Sequence, residues 1–169
     1  MEGKPVSASR TIMAIHMNPE DANPMGKVHG GVIMKLIDTA AGAVAIRHAR
    51  KIAVTASIDR IDFHNPVQVG ELLTLKASLN HVGNSSLEVG CRVESEDLLT
   101  GEVRHTASAY LTYVALDANG RPTPVPPLIM ETELDKRRNC EALIRRELRL
   151  AAKERQKSCN VEELESTFT

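Results

Sequence analysis

The chain has 169 residues, 42% of them hydrophobic and 25% charged, with a formal net charge of −1, which is typical of one soluble globular domain with an appended segment. The chain has two Phe, two Tyr and no Trp, so few aromatic rings are present on which nucleic-acid bases could stack. Its near-zero net charge also disfavours binding to a phosphate backbone. No apolar run approaches the roughly 20 residues of a membrane span, and residues 1–10 lack the apolar stretch of a signal peptide, which predicts a cytoplasmic protein.

The first predicted elements are a ragged lead-in over residues 1–10 and a short strand over residues 11–17. A loop rich in Pro, Asn, Asp and Gly follows over residues 18–26. From Gly30 to about Ala49, apolar residues recur at three- and four-residue spacing and continue all round the helix. This pattern predicts a helix that is buried on most sides.

The hydrophobic period then changes to two. Four alternating stretches, separated by turns that contain Gly, Asn or Pro, cover residues 52–63, 72–82, 86–95 and 102–116. Turns spaced so regularly predict an antiparallel meander of four strands after the helix.

The C-terminal part begins with a Pro-rich bridge over residues 118–130, followed by a charged helix over 131–157 and a flexible tail over 158–169. Nine basic and four acidic residues lie between Asp135 and Lys157, so this segment carries +5 and the rest of the chain −6. A basic helix on an acidic domain suits an anionic ligand such as a phosphorylated cofactor. The alternative is a solvated helix laced with ion pairs.

Cysteine and histidine spacing predicts no metal centre. Cys91, Cys140 and Cys159 are widely separated and form no Cys-x-x-Cys pair, which favours reduced structural thiols. The six histidines show no metal-ligand spacing.

Asp38 is the one acidic residue between Asp21 and Asp59, and it lies in the most apolar helix of the chain. A carboxylate in such surroundings costs free energy unless it is paired or hydrogen-bonded. It is therefore a candidate general base or nucleophile. The alternative is a salt bridge with Lys35, three residues earlier on the helix.

The triplet His29-Gly30-Gly31 lies where this helix begins. Helix N-terminal N–H groups lack intrahelical partners, and two glycines allow a carbonyl oxygen to approach closely, as in an oxyanion hole. Gly31 and Asp38 share a helix face, but about 10 Å of helix axis separates them, so we expect a second chain to complete the site. Taken alone, the Gly pair and Asn23, in the preceding loop, favour simple turn formation.

Residues 20–38, which contain Asn23, the His29-Gly30-Gly31 triplet and Asp38, closely resemble the hotdog-fold acyl-CoA thioesterases. The nearest group comprises the YciA-like enzymes and the cytosolic long-chain (brain) acyl-CoA hydrolases. Residues 61–71, 82–89 and 98–102 also match, and the resemblance covers roughly residues 10–155.

The resemblance implies an α+β hotdog fold, in which a five-stranded antiparallel sheet wraps around the central helix, here with an additional C-terminal basic helix. Residues 11–117 would form the hotdog domain. It further implies a double-hotdog dimer, commonly assembled as a trimer of dimers, with the active site in a cleft between two protomers.

The resemblance also implies roles for the motif residues. Asp38 matches the family's catalytic acid, which activates water or attacks the thioester, and Asn23 matches a second catalytic position that the opposite subunit supplies. His29 belongs to the matching motif at the helix entrance. We expect the Gly31 N–H, supported by Gly30, to polarise the thioester carbonyl.

Two groups of residues are candidates for binding CoA. One resembles the family's strand-turn contact to the pantetheine-diphosphate arm and consists of Gly83, Asn84, Ser85 and Ser86. The other is suggested by charge as phosphate partners and consists of Arg60, Arg137 and Arg138.

The implied function is hydrolysis of fatty acyl-CoA to a free fatty acid and CoA, with no metal or other cofactor and with acyl-CoA and further copies of the chain as partners. Two alternatives remain open. One is a non-catalytic acyl-CoA-binding hotdog module, and the other is a hotdog hydratase or dehydratase in which His29 works with an acid.

Overall fold

The computed structural model of the protein describes residues 1–157, so the predicted tail over 158–169 lies outside the described residues. In chain order the helices and strands are β1 (Lys4–Pro5), β2 (Thr11–His16), α1 (Gly30–Ala49), β3 (Ile52–Phe63), β4 (Leu72–Val82), β5 (Ser86–Glu96), β6 (Val103–Leu116), β7 (Leu128–Ile129) and α2 (Glu133–Lys157). The main helices and strands begin and end within two residues of the predicted bounds.

The principal sheet has five antiparallel strands in the order β2-β4-β5-β6-β3, and α1 packs against one of its faces. With α2 added, this confirms the predicted fold class. The prediction of a four-strand meander was wrong in one pairing, because β3 pairs with β6 and not with β4. Only β4, β5 and β6 form a meander. A period-two pattern shows that strands exist but does not show which of them are neighbours.

Helix α1 buries one side against the inner face of the sheet, through a stripe at helical spacing that includes Ile37, Ala41 and Val44. The opposite side is open in a single chain, where Met34 and Ile46 are 42% and 46% exposed. The prediction that α1 is buried on most sides was therefore wrong for one protomer. A single sheet covers one side of a helix, so the remaining apolar positions need another surface.

The chain on either side of this domain packs against it in extended form. β1 pairs in parallel with β7, and the bridge before β7 attaches to the β4–β5 turn, where the Val125 N–H donates to the Asn84 carbonyl at 2.9 Å. Val125 is buried against the core. The segment between β6 and α2 is thus fixed at the end of the sheet where β4 turns into β5.

Helix α2 lies on the outer face of the sheet, opposite α1, and several of its basic residues pair with acids of the sheet. Arg145 donates to Glu88 at 2.7 Å and stacks over the Tyr110 ring, 3.8 Å from its centroid, while Arg149 pairs with Asp59. These contacts favour the ion-pair interpretation of the charged helix for these arginines. None of the helices among residues 1–157 is long and apolar enough to cross a membrane.

Asp135 anchors the start of α2. Its carboxylate accepts the N–H groups of Glu131 and Thr132 at 3.2 and 3.0 Å and pairs with Arg10 at 3.0 Å. Burial acts to raise the pKa of Asp135, but the hydrogen bonds from Thr132 and the charge of Arg10 outweigh it and hold the pKa below its usual value. The ionised form is therefore the one that the fold stabilises.

Asp135→Asn is expected to reduce the free energy of unfolding by about 1–2 kcal/mol at pH 7. A carboxyl whose pKa is lowered by folding contributes stability above its unfolded pKa and loses it in acid, so the difference should shrink as the pH falls below about 4. Urea unfolding of the wild type and of Asp135→Asn between pH 7 and pH 3 measures this difference in the free energy of unfolding. An unfolding difference that stays constant with pH would contradict this account.

Candidate active site

Asp38 lies on the third turn of α1, half-buried, and faces the inner surface of the sheet. Its Oδ1 accepts hydrogen bonds from Thr55 Oγ1 at 2.7 Å and from the Tyr113 hydroxyl at 2.8 Å. The Oδ2 atom receives no hydrogen bond from any residue that the structure describes. One carboxylate oxygen is thus fixed and the other is available to a ligand.

The alternative partner Lys35 does not fill this role, since within residues 1–157 no salt bridge joins it to Asp38. Thr55 and Tyr113, which do fill it, were not predicted from the sequence. They lie 17 and 75 residues from Asp38 along the chain and become its neighbours through the pairing of β3 with β6, in which Thr55 stands opposite Tyr113. A signal was present, because Tyr113 is one of only two tyrosines and lies on an apolar strand face.

The His29-Gly30-Gly31 triplet forms the N-terminus of α1, with His29 as the N-cap. The Gly31 N–H, predicted to polarise a carbonyl, instead donates to His29 Nδ1 at 2.8 Å. The Gly30 N–H has no hydrogen-bond acceptor among the described residues. In this conformation Gly30 therefore presents the free donor, and Gly31 becomes available only when the His29 ring turns away.

Gly31→Ala tests the tight packing of this cap. A Cβ on Gly31 would lie 2.9 Å from His29 Nδ1, whereas a Cβ on Gly30 would meet only the Phe63 ring at 3.7 Å. We expect Gly31→Ala to displace His29 and to be less stable than Gly30→Ala by about 1 kcal/mol, the value of an N-cap. Chemical denaturation of the two variants, and of each in a His29→Ala background, measures the difference. In the His29→Ala background the stability difference between the two variants should disappear. A difference that persists there would exclude His29 as its cause.

Asn23 lies in the loop before α1, and its side chain stabilises a turn through hydrogen bonds to the backbone. Its side-chain Oδ1 accepts the N–H groups of Met25 and Lys27 at 2.9 and 3.2 Å. The amide Nδ2 donates no hydrogen bond to the described residues. The turn thus holds the side chain by its oxygen and leaves the amide NH₂ group available.

A cavity of about 350 Å³ lies beside the Gly30 end of α1. Most of its lining is apolar or aromatic and includes Ile33, Phe63, Pro66 and Val67. The helix N-terminus therefore opens beside an apolar recess, a suitable place for an aliphatic group.

The predicted CoA-binding turn lies at the same end of the sheet as Asp38. Strand register places Thr55 opposite Tyr113, Tyr113 opposite Leu87, and Leu87 opposite Val82, the last residue of β4. Gly83, Asn84, Ser85 and Ser86 come directly after Val82. Neighbouring strands are about 4.8 Å apart, so the turn begins about 10 Å of sheet from Tyr113.

Arg60, Arg137 and Arg138 do not join this site in one protomer. Arg60 stands opposite Tyr110 and pairs with Asp62 at 2.6 Å, and residues opposite each other on neighbouring strands share a face. That face is the outer one, since α2 covers Tyr110.

The other two arginines line an outer-face cavity of about 470 Å³ beneath α2. The sheet itself thus separates all three arginines from Asp38. Within residues 1–157 no cluster of three His, Cys, Asp or Glu residues could hold a metal ion.

Comparison with known proteins gives consistent matches. The family model described as "Thioesterase superfamily" matches residues 25–102. Protein VdlD of Helicobacter pylori is 44% identical over 145 residues, which cover 85% of this chain and 83% of that protein. The human cytosolic acyl coenzyme A thioester hydrolase is 39% identical over 139 residues, which cover 81% of this chain. The matched part spans only 37% of that longer protein.

Solved structures agree with these matches. A hexameric acyl-CoA thioesterase has a TM-score of 0.87 and 41% identity, covering 90% of this chain and 97% of that chain. The acyl-CoA hydrolase of Staphylococcus aureus, in complex with butyryl-CoA and CoA, has a TM-score of 0.85 and 32% identity, covering 98% of this chain and 99% of that chain.

Three variants of the Staphylococcus aureus hydrolase replace an aspartate, an asparagine and a threonine by alanine. In that chain the aspartate follows the asparagine by 15 residues, and the threonine follows the aspartate by 17. Asn23, Asp38 and Thr55 have the same residue types and the same two separations here.

Proposed function

Since this chain belongs to the thioesterase superfamily, we propose that it is an acyl-CoA thioesterase that hydrolyses fatty acyl-CoA to a free fatty acid and CoA. The observation that carries the proposal is the fixed Asp38 carboxylate with one free oxygen, in a chain 41% and 32% identical to an acyl-CoA thioesterase and an acyl-CoA hydrolase of known structure. The location proposed is the cytoplasm, as the name of the human relative suggests.

In the proposed reaction, Asp38 Oδ2 accepts a proton from a water molecule as the water oxygen bonds to the thioester carbonyl carbon. The carbonyl oxygen becomes an oxyanion, and the C–S bond then breaks as the carbonyl re-forms. The sulfur leaves as the CoA thiolate and takes the proton held by Asp38. Direct attack by Asp38, which passes through an acyl-enzyme anhydride that water then hydrolyses, is the second route open to the same carboxylate.

The helix N-terminus is proposed to stabilise the oxyanion. The free Gly30 N–H lies at the positive end of the α1 dipole, where both would stabilise a negative charge. The Gly31 N–H becomes a second donor once its hydrogen bond to His29 Nδ1 breaks. The amide of Asn23 is proposed to orient the water or the carbonyl. His29 is proposed to act through its cap, and because its Nδ1 accepts from Gly31 it is poorly placed for the acid–base role of a hydratase.

Two copies of the chain are proposed to complete each site. Gly31 and Asp38 lie about 10 Å apart along α1, farther than one carbonyl carbon can span. Strand β3 forms a long sheet edge with exposed apolar residues, among them Ile52 at 67% and Ile58 at 47%, and such an edge suits pairing with a second chain. We therefore propose a double-hotdog dimer, further assembled as a trimer of dimers, and the hexameric state of one relative of known structure supports this proposal.

The β4–β5 turn, Gly83 to Ser86, is proposed to contact the pantetheine arm, because it lies at the Asp38 end of the sheet. The outer-face arginines 60, 137 and 138 would reach a CoA phosphate only for a site on another protomer. No further cofactor is proposed.

The test is a turnover panel from acetyl- to palmitoyl-CoA, in which the released CoA thiol is followed with a thiol reagent. Release of CoA from some members of the panel is expected. A parallel assay of enoyl-CoA hydration tests the dehydratase alternative, and equilibrium binding tests the non-catalytic one. Tight binding of acyl-CoA without CoA release would overturn the proposal.

A further inference from the structure

We infer that Tyr113 is a positioning residue for the hydrolysis, which locks the Asp38 side chain so that Oδ2 faces the thioester. The inference rests on the proposed function of Asp38. It concerns a residue of β6 that touches neither the substrate nor the reacting atoms.

The geometry gives Tyr113 two contacts on Asp38. Its hydroxyl oxygen lies 2.8 Å from Asp38 Oδ1 and 2.9 Å from the Asp38 backbone carbonyl oxygen. A single phenol at this point therefore ties the side chain to the helix that carries it. The ring also packs beside Gly42, one helical turn after Asp38, since it lies 3.6 Å from where a Cβ on Gly42 would be, an ordinary van der Waals distance.

The surroundings keep the phenol a donor. Tyr113 is 2% exposed, and burial first, with the hydrogen bond to Asp38 second, raises its pKa above the usual value. The hydroxyl is therefore protonated at physiological pH. Because a buried ring in a packed core has little freedom to turn, its hydroxyl holds one direction.

Thr55 makes the second bond to Oδ1 but differs in its setting. It lies on the edge strand β3 and is exposed in the single chain, whereas Tyr113 lies between two paired strands and is buried. The contact from Tyr113 is thus built into the core of one protomer and does not depend on a neighbouring chain. Both donors direct a hydrogen bond to the same carboxylate oxygen, Oδ1.

Tyr113→Phe is the first test, because it removes the hydroxyl and retains the ring. Loss of one hydrogen bond to a charged group predicts a decrease in kcat of about 10- to 100-fold with a smaller change in KM. Tyr110→Phe is the matched control on the same strand and should keep the wild-type kcat and KM.

A second measurement avoids any packing defect. Tyr110 and Tyr113 are the only tyrosines of the chain, so in Tyr110→Phe the incorporation of fluorotyrosine changes Tyr113 alone. Fluorination keeps the phenol hydroxyl as a donor to Asp38, so kcat should stay close to that of Tyr110→Phe, in contrast to the decrease expected for Tyr113→Phe. A wild-type kcat in Tyr113→Phe, or an equal decrease in kcat on fluorination, would overturn the inference. Absence of hydrolysis in the unmodified enzyme would instead overturn the proposed function.

Discussion

Replacing Asp38 by asparagine is expected to reduce CoA release by about 10²–10⁴-fold, the usual contribution of a general base. The asparagine Oδ1 still accepts from Thr55 and Tyr113, so the contacts that hold the side chain to the sheet are kept. What is lost is the charge and the ability of the second atom to take a proton. The measurement is the single-turnover rate of CoA release at saturating acyl-CoA.

Lys35→Gln is the matched control, since this exposed residue is on the same helix and was the alternative partner of Asp38. It should keep the wild-type rate. Circular dichroism, melting temperature and assembly size of Asp38→Asn should equal those of the parent protein. A parental rate in Asp38→Asn would refute the proposed mechanism, and an equal loss in Lys35→Gln would restore the ion-pair interpretation.

Asn23→Ala is expected to lose most activity by itself, and to recover part of it when co-expressed with Asp38→Asn. If Asn23 of one protomer works with Asp38 of another, a mixed dimer contains one site with both native residues. Random pairing in a two-fold dimer then restores about one quarter of the wild-type activity per site over all dimers, and about one half within the mixed dimers themselves. Two different affinity tags purify the mixed assemblies for the assay.

The control is a mixture of the two separately purified variants assayed before any exchange of subunits, which should remain inactive. Co-expressed assemblies that contain both chains but show no recovery would place Asn23 and Asp38 in the same protomer's site. The experiment thus separates a composite active site from a merely oligomeric enzyme.

Much of the local structure could be predicted from the residues. Helix α1 begins at the glycines after His29, and the four long strands end at turns marked by Gly, Asn or Pro. The reason is that helix and strand periods, and turn residues, are properties of short segments. The His-Gly-Gly triplet and the isolated Asp38 could be identified as candidates for the same reason. A carboxylate in an apolar helix, and two glycines where that helix begins, are visible within a short segment.

The predictions that failed concern distant parts of the chain. The pairing of β3 with β6 joins residues about 60 positions apart, such as Thr55 and Tyr113, and no short segment contains that information. The three arginines suggested by charge lie on the outer face of the sheet, opposite to the face on which Asp38 lies, and their contact with CoA stays a prediction. Charge is a property of the residue, whereas the face of the sheet on which a residue lies depends on strand register. The charges alone therefore did not show which arginines lie on the same face as Asp38.

The sequence by itself determined the fold class, the order of the elements and the identity of the acid at the centre of the candidate site. Only the tertiary structure decided which groups hold that acid, which N–H at the start of α1 is free, and on which side of the sheet each basic residue lies. Periodicity and turn chemistry are local, but hydrogen bonds such as that between Tyr113 and Asp38 join residues 75 positions apart. Such bonds exist only once the strands have found their partners.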